Sequence, residues 1–256
     1  MQRDAFGLGT ERTGRWEGVP MELELMETKQ EAPGTRSFKF DFHETQFTYK
    51  PGQYISMQLD VEDPRRNTRS FSLASSPTES DFVMICTRIT DSPFKQKLNS
   101  LTPGTRVSVR GPSGRFVLEE NESRHAVLLS GGIGITPFRN MVKFATDSKL
   151  DTKMTLLYSN GIPEEIIFRE ELEHLQKINP NLKVINTITR PDESKVPWQG
   201  RVGRIDERLV RESVPDVRDS IFYVCGPPSM VESLVSTLAV IGVATEQIKT
   251  EKFTGY

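Results

Sequence analysis

The stretch "LLSGGIGITP", residues 128–137, is a strand running into a crowded turn and then a helix. Leu128 and Leu129 close the apolar run "HAVLLS" (125–130), three glycines follow at Gly131, Gly132 and Gly134, and Thr136-Pro137 lead into "FRNMVKFATDS", which has helical spacing. Proline suits a first helical turn, where its missing N–H would have no partner. Glycines at such a turn let a phosphate reach backbone N–H groups at the positive helix end. Gly132 and Gly134 supply G-x-G, but Pro137 stands at the third glycine position. No Gly-Lys-Ser/Thr follows, which excludes an ATPase-type phosphate loop. A tight strand–helix junction with no ligand uses the same residues.

The chain after this turn keeps alternating. "KMTLLYSN", "LKVINTI", "IFYVC" and "QIKTEKF" read as strands. "EEIIFREELEHLQKI", "RIDERLV" and "PSMVESLVSTLAV" read as helices. With the first strand this predicts five strands in a parallel α/β sheet over 121–256, with nucleotide at the strand C-ends.

Before it, the period changes. "RSFKFDF" alternates Phe38, Phe40 and Phe42 with polar residues, and "QYISMQL", "RSFSL", "FVMICTR" and "TRVSVR" follow as short strands. Turn signals such as Pro51-Gly52 and Pro103-Gly104 separate them. "SPFKQKLNSL" places Phe94, Leu98 and Leu101 on one helical face, with Asp91 or Ser92 as cap. The pattern predicts a small antiparallel barrel with one helix over 19–120. Residues 1–18 read as a loose polar arm, and the charged stretch "EENESRH" (119–125) as the boundary.

The 256 residues carry 36% hydrophobic and 27% charged residues and a net charge of −2, so neither nucleic acid nor an anionic membrane is an expected partner. No apolar run reaches the ~20 residues of a membrane helix, and the start lacks a signal-peptide core, which makes a cytoplasmic location the expectation. Two cysteines cannot hold a common iron–sulfur cluster, and three scattered histidines offer no metal pair, so no metal is expected. Any redox centre is then an organic cofactor.

Two more segments carry polar or reactive groups where a plain strand would not. "YVCGPPSM" (223–230) ends a strand in Cys225 and turns through Gly226-Pro227-Pro228. The cysteine is inert packing or, at a strand C-end, a small polarizable surface for a flat ring. "RSFSLASSP" (69–77) sets Arg69 beside Ser70, Phe71 and Ser72. Arginine beside hydroxyls can hold phosphate, and the aromatic can face a ring; a solvated strand is the alternative.

In this order, "KPGQYI" (50–55), "RSFSLASSP", "GPSGRF" (111–116), "GGIGITP", "YVCGPPSM" and "EKF" (251–253), the segments resemble the ferredoxin–NADP reductase superfamily over residues ~20–256. The resemblance implies a Greek-key β-barrel that holds flavin and a five-stranded Rossmann-like domain that holds NAD(P). It implies that Arg69 binds flavin phosphate, with Ser70 in the same motif, that Phe71 packs on the isoalloxazine and that Ser72 approaches N5. Thr87 and Arg88 then contact ribityl and phosphate groups, and Ser92 is a second phosphate ligand. Gly131, Gly132, Gly134, Thr136 and Pro137 carry the nicotinamide cofactor, with Ser159 and Arg190 at its ribose end. Cys225, followed by Gly226 and Pro227, sits beside nicotinamide C4. Phe253 or Tyr256 covers the flavin, and Glu251 contacts Ser72 and assists proton movement. Phe71 departs from the commoner tyrosine, three residues follow Phe253, and the iron–sulfur extension is missing.

The implied activity is hydride transfer from NADPH or NADH to bound FAD rather than FMN. Electrons then pass to ferredoxin, flavodoxin or an oxygenase component. The alternatives are an NAD(P)H-facing subunit of a larger redox complex and a non-enzymatic nucleotide-binding redox module. Either coenzyme is left open: Ser159, Asn160, Arg190, Arg201 and Arg204 suit a 2′-phosphate, while Glu164 and Glu165 suit a free 2′-hydroxyl.

Overall fold

The computed structural model describes residues 20–42, 47–119 and 124–254. The expected arm over 1–18 and Tyr256 lie outside them, as do residues 120–123 of the expected boundary.

Six strands form the first sheet: β1 (Met21–Ala32), β2 (Thr35–Asp41), β3 (Tyr54–Gln58), β4 (Thr68–Ser72), β5 (Val83–Arg88) and β6 (Arg106–Ser113). Their order is β4-β3-β6-β1-β2-β5, every pair antiparallel. A bridge between Leu73 and Ile85, with the Ala74 N–H donating to the Met84 carbonyl at 2.7 Å, joins the outer strands β4 and β5 into a barrel. Period-two alternation sends Leu23, Leu25, Phe38, Phe40, Ile55 and Met57 inward, each essentially fully buried. The seven-residue helix α1 (Pro93–Asn99) seats Phe94 and Leu98 in the same core, and Ser92 is its cap, accepting from the Lys95 N–H.

The second sheet contains β7 (His125–Gly131), β8 (Met154–Asn160), β9 (Leu182–Ile188), β10 (Arg201–Val202), β11 (Ser220–Gly226) and β12 (Ile248–Lys252), all parallel. It has six strands, not the expected five. The extra one, β10, is a two-residue edge pairing with β9, bracketed by Gly200 and Gly203 and too short to show a period. The order β10-β9-β8-β7-β11-β12 puts the reversal of direction between β7 and β11. Ligands of open α/β sheets bind in the crevice at such a switch point. Helices α2 (Ile135–Asp147) and α3 (Arg169–Ile178) cover one face over Leu128, Leu156 and Tyr158. Helices α4 (Glu207–Ser213) and α5 (Pro228–Val240) cover the other over Val127, Leu129 and Phe222.

Barrel and sheet share packing. Phe116 lies 5.8 Å from Phe138 and meets Tyr223 edge-on at 5.7 Å. Arg139, buried on α2, donates to the Ala74 carbonyl at 2.9 Å and pairs with Glu79 and Glu171. The later serines of "RSFSLASSP" serve this junction. Ser75 Oγ accepts the Met84 N–H at 2.9 Å and meets Tyr49 Oη, and the Ser76 N–H donates to Glu79 at 2.7 Å.

Candidate functional site

A cleft of about 530 Å³ opens between the barrel and the end of β12. β4 brings Arg69, Ser70, Phe71 and Ser72 to it; β5 brings Thr87 and Arg88; β12 and the residue after it bring Glu251 and Phe253. Thr136, in the first turn of α2, also lines this cleft. A second cleft of about 430 Å³ lies over the strand C-ends and is lined by Gly131, Gly132, Ser159, Arg190 and Pro227. Arg88 and Ile133 line both clefts, so the two open onto the same wall.

The glycines have separate jobs. Gly132 takes a left-handed φ of +52°, which turns the chain out of β7. Gly134 lies so close to β11 that a Cβ would stand 2.3 Å from the Cys225 carbonyl oxygen. Gly134, Pro137 and Gly226 line neither cleft and pack at the switch point. At Gly226 a Cβ would meet the Met230 methyl at 2.4 Å.

Cys225 also lines neither cleft. It is fully buried on β11 and pairs in register with Glu251 on β12. Burial, then the neighbouring Glu251 carboxylate, pushes its thiol well above the ordinary range. Glu251 itself accepts from Ser72 Oγ at 3.2 Å, and burial lifts its carboxyl to about 7 despite that hydrogen bond. Phe253 is held by its N–H on the Gly226 carbonyl at 3.0 Å.

Arg69, an expected phosphate ligand, is paired with an internal carboxylate. Asp63 accepts from Arg69 Nη2 and from the Arg65 N–H, both at 2.7 Å, and from the Phe94 N–H at 3.0 Å. Enclosure alone would raise this carboxyl; the backbone donors and Arg69 outweigh it and hold it below the usual range. Ser92 lies outside the main cleft and caps α1, and with Arg65 and Arg69 it lines a neighbouring cleft of about 290 Å³.

Sequence reasoning passed over Tyr54, Cys86 and Lys95, which also line the first cleft. A lysine in "SPFKQKL" reads as solvated, and only the fold shows that it turns inward. Cleft size, the surplus of cationic donors in its walls and the two-cleft arrangement fit a flavin and a nicotinamide nucleotide. Among the described residues no cluster suits a metal ion, and no helix is long and apolar enough to cross a membrane.

The "Oxidoreductase FAD-binding domain" family matches residues 22–118, and the "Oxidoreductase NAD-binding domain" family matches 128–236. The chain belongs to the ferredoxin–NADP reductase superfamily. Members of this superfamily are NAD(P)H-dependent flavin oxidoreductases, and this chain carries both of their cofactor-binding domains. It is 30% identical over 200 residues to NADH-cytochrome b5 reductase 1 of Aspergillus oryzae, covering 75% of this chain and 68% of that one. It is 28% identical over 244 residues to the glycine betaine monooxygenase reductase subunit of Chromohalobacter salexigens, covering 94% of this chain but 66% of that protein. In fold it superposes on the Amycolatopsis cytochrome P450 reductase with TM-score 0.79 at 22% identity, over 95% of this chain and 73% of that one. The ferredoxin NADP+ reductase of Neisseria gonorrhoeae, solved with FAD and NADP, gives 0.77 at 22% identity, over 92% and 99%.

Proposed function

We propose that this chain takes hydride from a nicotinamide nucleotide onto FAD held in the first cleft. It then passes the electrons to a protein acceptor, an oxygenase component before a free ferredoxin or flavodoxin. One observation carries the reading: the two clefts share Arg88 and Ile133, so ligands filling them would meet at one wall. Bound FAD would supply the conversion of a two-electron donor into single electrons, which no side chain here can perform.

The chain's own residues bind, orient and handle protons. Phe71 and Thr87 would line the flavin ring and its side chain, and Gly131 and Gly132 offer backbone close to the nucleotide's phosphates. Ser159 and Arg190 face its ribose end. Ser72 and Glu251 form a proton-handling pair whose carboxyl, near 7, can hold or release a proton at neutral pH. Cys225 stands one strand behind that pair, and Phe253 at the cleft mouth must yield before a nicotinamide approaches. Its displacement is a gating step.

The name of the Chromohalobacter relative, a reductase subunit, favours a partner-dependent chain over a self-sufficient one. The test is the absorbance spectrum after reconstitution with FAD, then anaerobic addition of NADH and NADPH. Flavin absorbance that bleaches with either nucleotide is the expected result; a chain that takes up no flavin sinks the reading. Stoichiometric capture of an oxygenase component would support the subunit form.

A further inference from the structure

The outer face of the barrel carries a further cleft, of about 440 Å³, that hydride and electron transfer do not use. Strand register builds its floor. Ser70 on β4, Ser56 on β3 and Arg110 on β6 lie side by side, and Thr68, Gln58 and Ser108 form the next row. The alternate residues Ile55, Met57 and Val109 turn into the barrel core. Arg66 enters from the turn before β4 and Arg110 from β6, with Ser56 on the strand between them. Neither guanidinium has a partner among the described residues. Arg69 also borders the cleft, but its Nη2 is on Asp63 and its Nη1 on the carbonyls of Arg65, Arg66 and Thr68. No carboxylate lines the cleft, and no aromatic or hydrocarbon side chain does. At its floor Ser56 is 3% exposed, and its Oγ has no hydrogen-bond partner. A hydroxyl sequestered in this way is costly unless a ligand completes it.

We propose that this outer cleft binds the phosphate monoester of a small, polar, non-aromatic molecule, held between Arg66 and Arg110 with Ser56 Oγ beneath it. The strands on either side of β3 stand roughly 10 Å apart, a span that two arginine side chains can close on one anion. A tetrahedral dianion has acceptor oxygens for both guanidinium forks and for the hydroxyl, whereas one fork already fills a planar carboxylate. Ser56 selects for a small ligand. Carboxylates on a protein surface stop at the rim, where Arg66 and Arg110 are exposed, and do not reach a hydroxyl at the floor. The want of an aromatic or apolar wall leaves a nucleotide base no platform, which sets this ligand apart from FAD and the nicotinamide nucleotide. Gln58 and Ser108 offer an amide and a hydroxyl to the ligand's own hydroxyls. The site does not depend on what fills the first cleft. Its charged side chains are all arginines, so the protein's half of the pairing does not titrate.

The experiment follows the backbone amide shifts of the isotopically labelled full chain through a titration with inorganic phosphate. FAD and NAD+ are present in excess, and chloride holds the ionic strength constant. Shifts at Ser56, Ser70, Ser108 and Arg110 are expected to saturate together with one dissociation constant. Arg66→Gln and Arg110→Gln are each expected to weaken binding about tenfold, the usual worth of a hydrogen bond to a charged group. Ser56→Ala should weaken it several-fold while the melting temperature holds or rises, because an unpaired buried hydroxyl has gone. Shifts that do not saturate, or that appear only at residues of the second cleft such as Gly131 and Arg190, overturn the proposal. Wild-type phosphate affinity in both arginine variants overturns it as well. So does a Ser56→Ala chain that loses stability but no phosphate affinity, since the hydroxyl would then serve the fold alone.

Discussion

Ser72 Oγ on the barrel donates to Glu251 on the last strand of the other domain at 3.2 Å, across 179 residues of chain. This bond ties the arginine-led strand to the C-terminal Glu-x-Phe. Burial raises the Glu251 carboxyl from 4.5 to about 7, so its ionisation opposes folding. The raised carboxyl contributes its full stability below the usual value and loses it as pH rises through about 7. Urea midpoints of the flavin-free chain are expected to fall between pH 5 and 8 in the wild type. Glu251→Gln should flatten that fall; an unchanged slope in the variant would assign the titration to another group.

Cys225 lies in register beside Glu251 with no surface of its own. Cys225→Ser changes one buried atom at the switch point, behind the Ser72–Glu251 pair of the proposed site, where small misplacements of reacting groups cost rate. The expected outcome is slower reduction of bound flavin by nicotinamide nucleotide, with flavin content unchanged, measured by anaerobic stopped-flow absorbance. Loss of bound flavin would mean that the cysteine acts only through packing.

Gly134 tests the switch point from the other side. An added Cβ would meet the Cys225 carbonyl at 2.3 Å and the Gly226 Cα at 2.8 Å, both backbone atoms that have little freedom to shift. Gly134→Ala is expected to lower stability by about 1–3 kcal/mol, the usual cost of overpacking, and to raise KM for the nucleotide. A variant with wild-type melting temperature and KM would show that the turn is looser than its contacts imply.

The difference between what was and was not legible in the chain has a physical basis. The two periods, the glycine turn and Ser92 as cap are local, and each is encoded within a few residues. Arg139 is the opposite case. Its partners Glu79 and Ala74 come from the barrel, 60 and 65 residues away, so nothing near "FRNM" marks it as buried. Lys95 and Ser75 are hidden in the same way, because polar side chains signal solvent until the fold encloses them. β10 was invisible because two residues carry no period. Cys225 was placed correctly at a strand end, but its full burial depends on β12 arriving from the far end of the chain.

Arg139 carries its own prediction. The side chain is 6% exposed and the carboxylates of Glu79 and Glu171 neutralise it, which holds the guanidinium above its ordinary value even against burial. Arg139→Met leaves Glu79 and Glu171 facing each other unpaired, at a cost of about 3–5 kcal/mol. Chemical denaturation should show that loss, and adding Glu79→Gln should recover part of it. No recovery in the double variant would mean that packing, not charge, holds this junction.

The charge pattern around Arg190 leads to an expectation for coenzyme choice. Its Nη1 pairs with Glu193 at 2.6 Å, and its Nη2 lies 3.6 Å from Glu165, whose other oxygen accepts the Gly161 N–H at 3.2 Å. Arg190 and Glu165 both line the second cleft, whereas Arg201 is paired with Glu212 and Glu164 with Ser194. A 2′-phosphate would have to displace one carboxylate from Arg190 and stand beside the other. A free 2′-hydroxyl can donate to Glu165 without disturbing either. The chain is therefore expected to use NADH with kcat/KM at least tenfold above NADPH. Glu165→Gln should narrow the gap mainly by improving NADPH, since removing one negative charge frees Arg190 for phosphate. Steady-state rates with both nucleotides test this, and a wild-type preference for NADPH would overturn it, because Arg190 would then have to leave both carboxylates on binding.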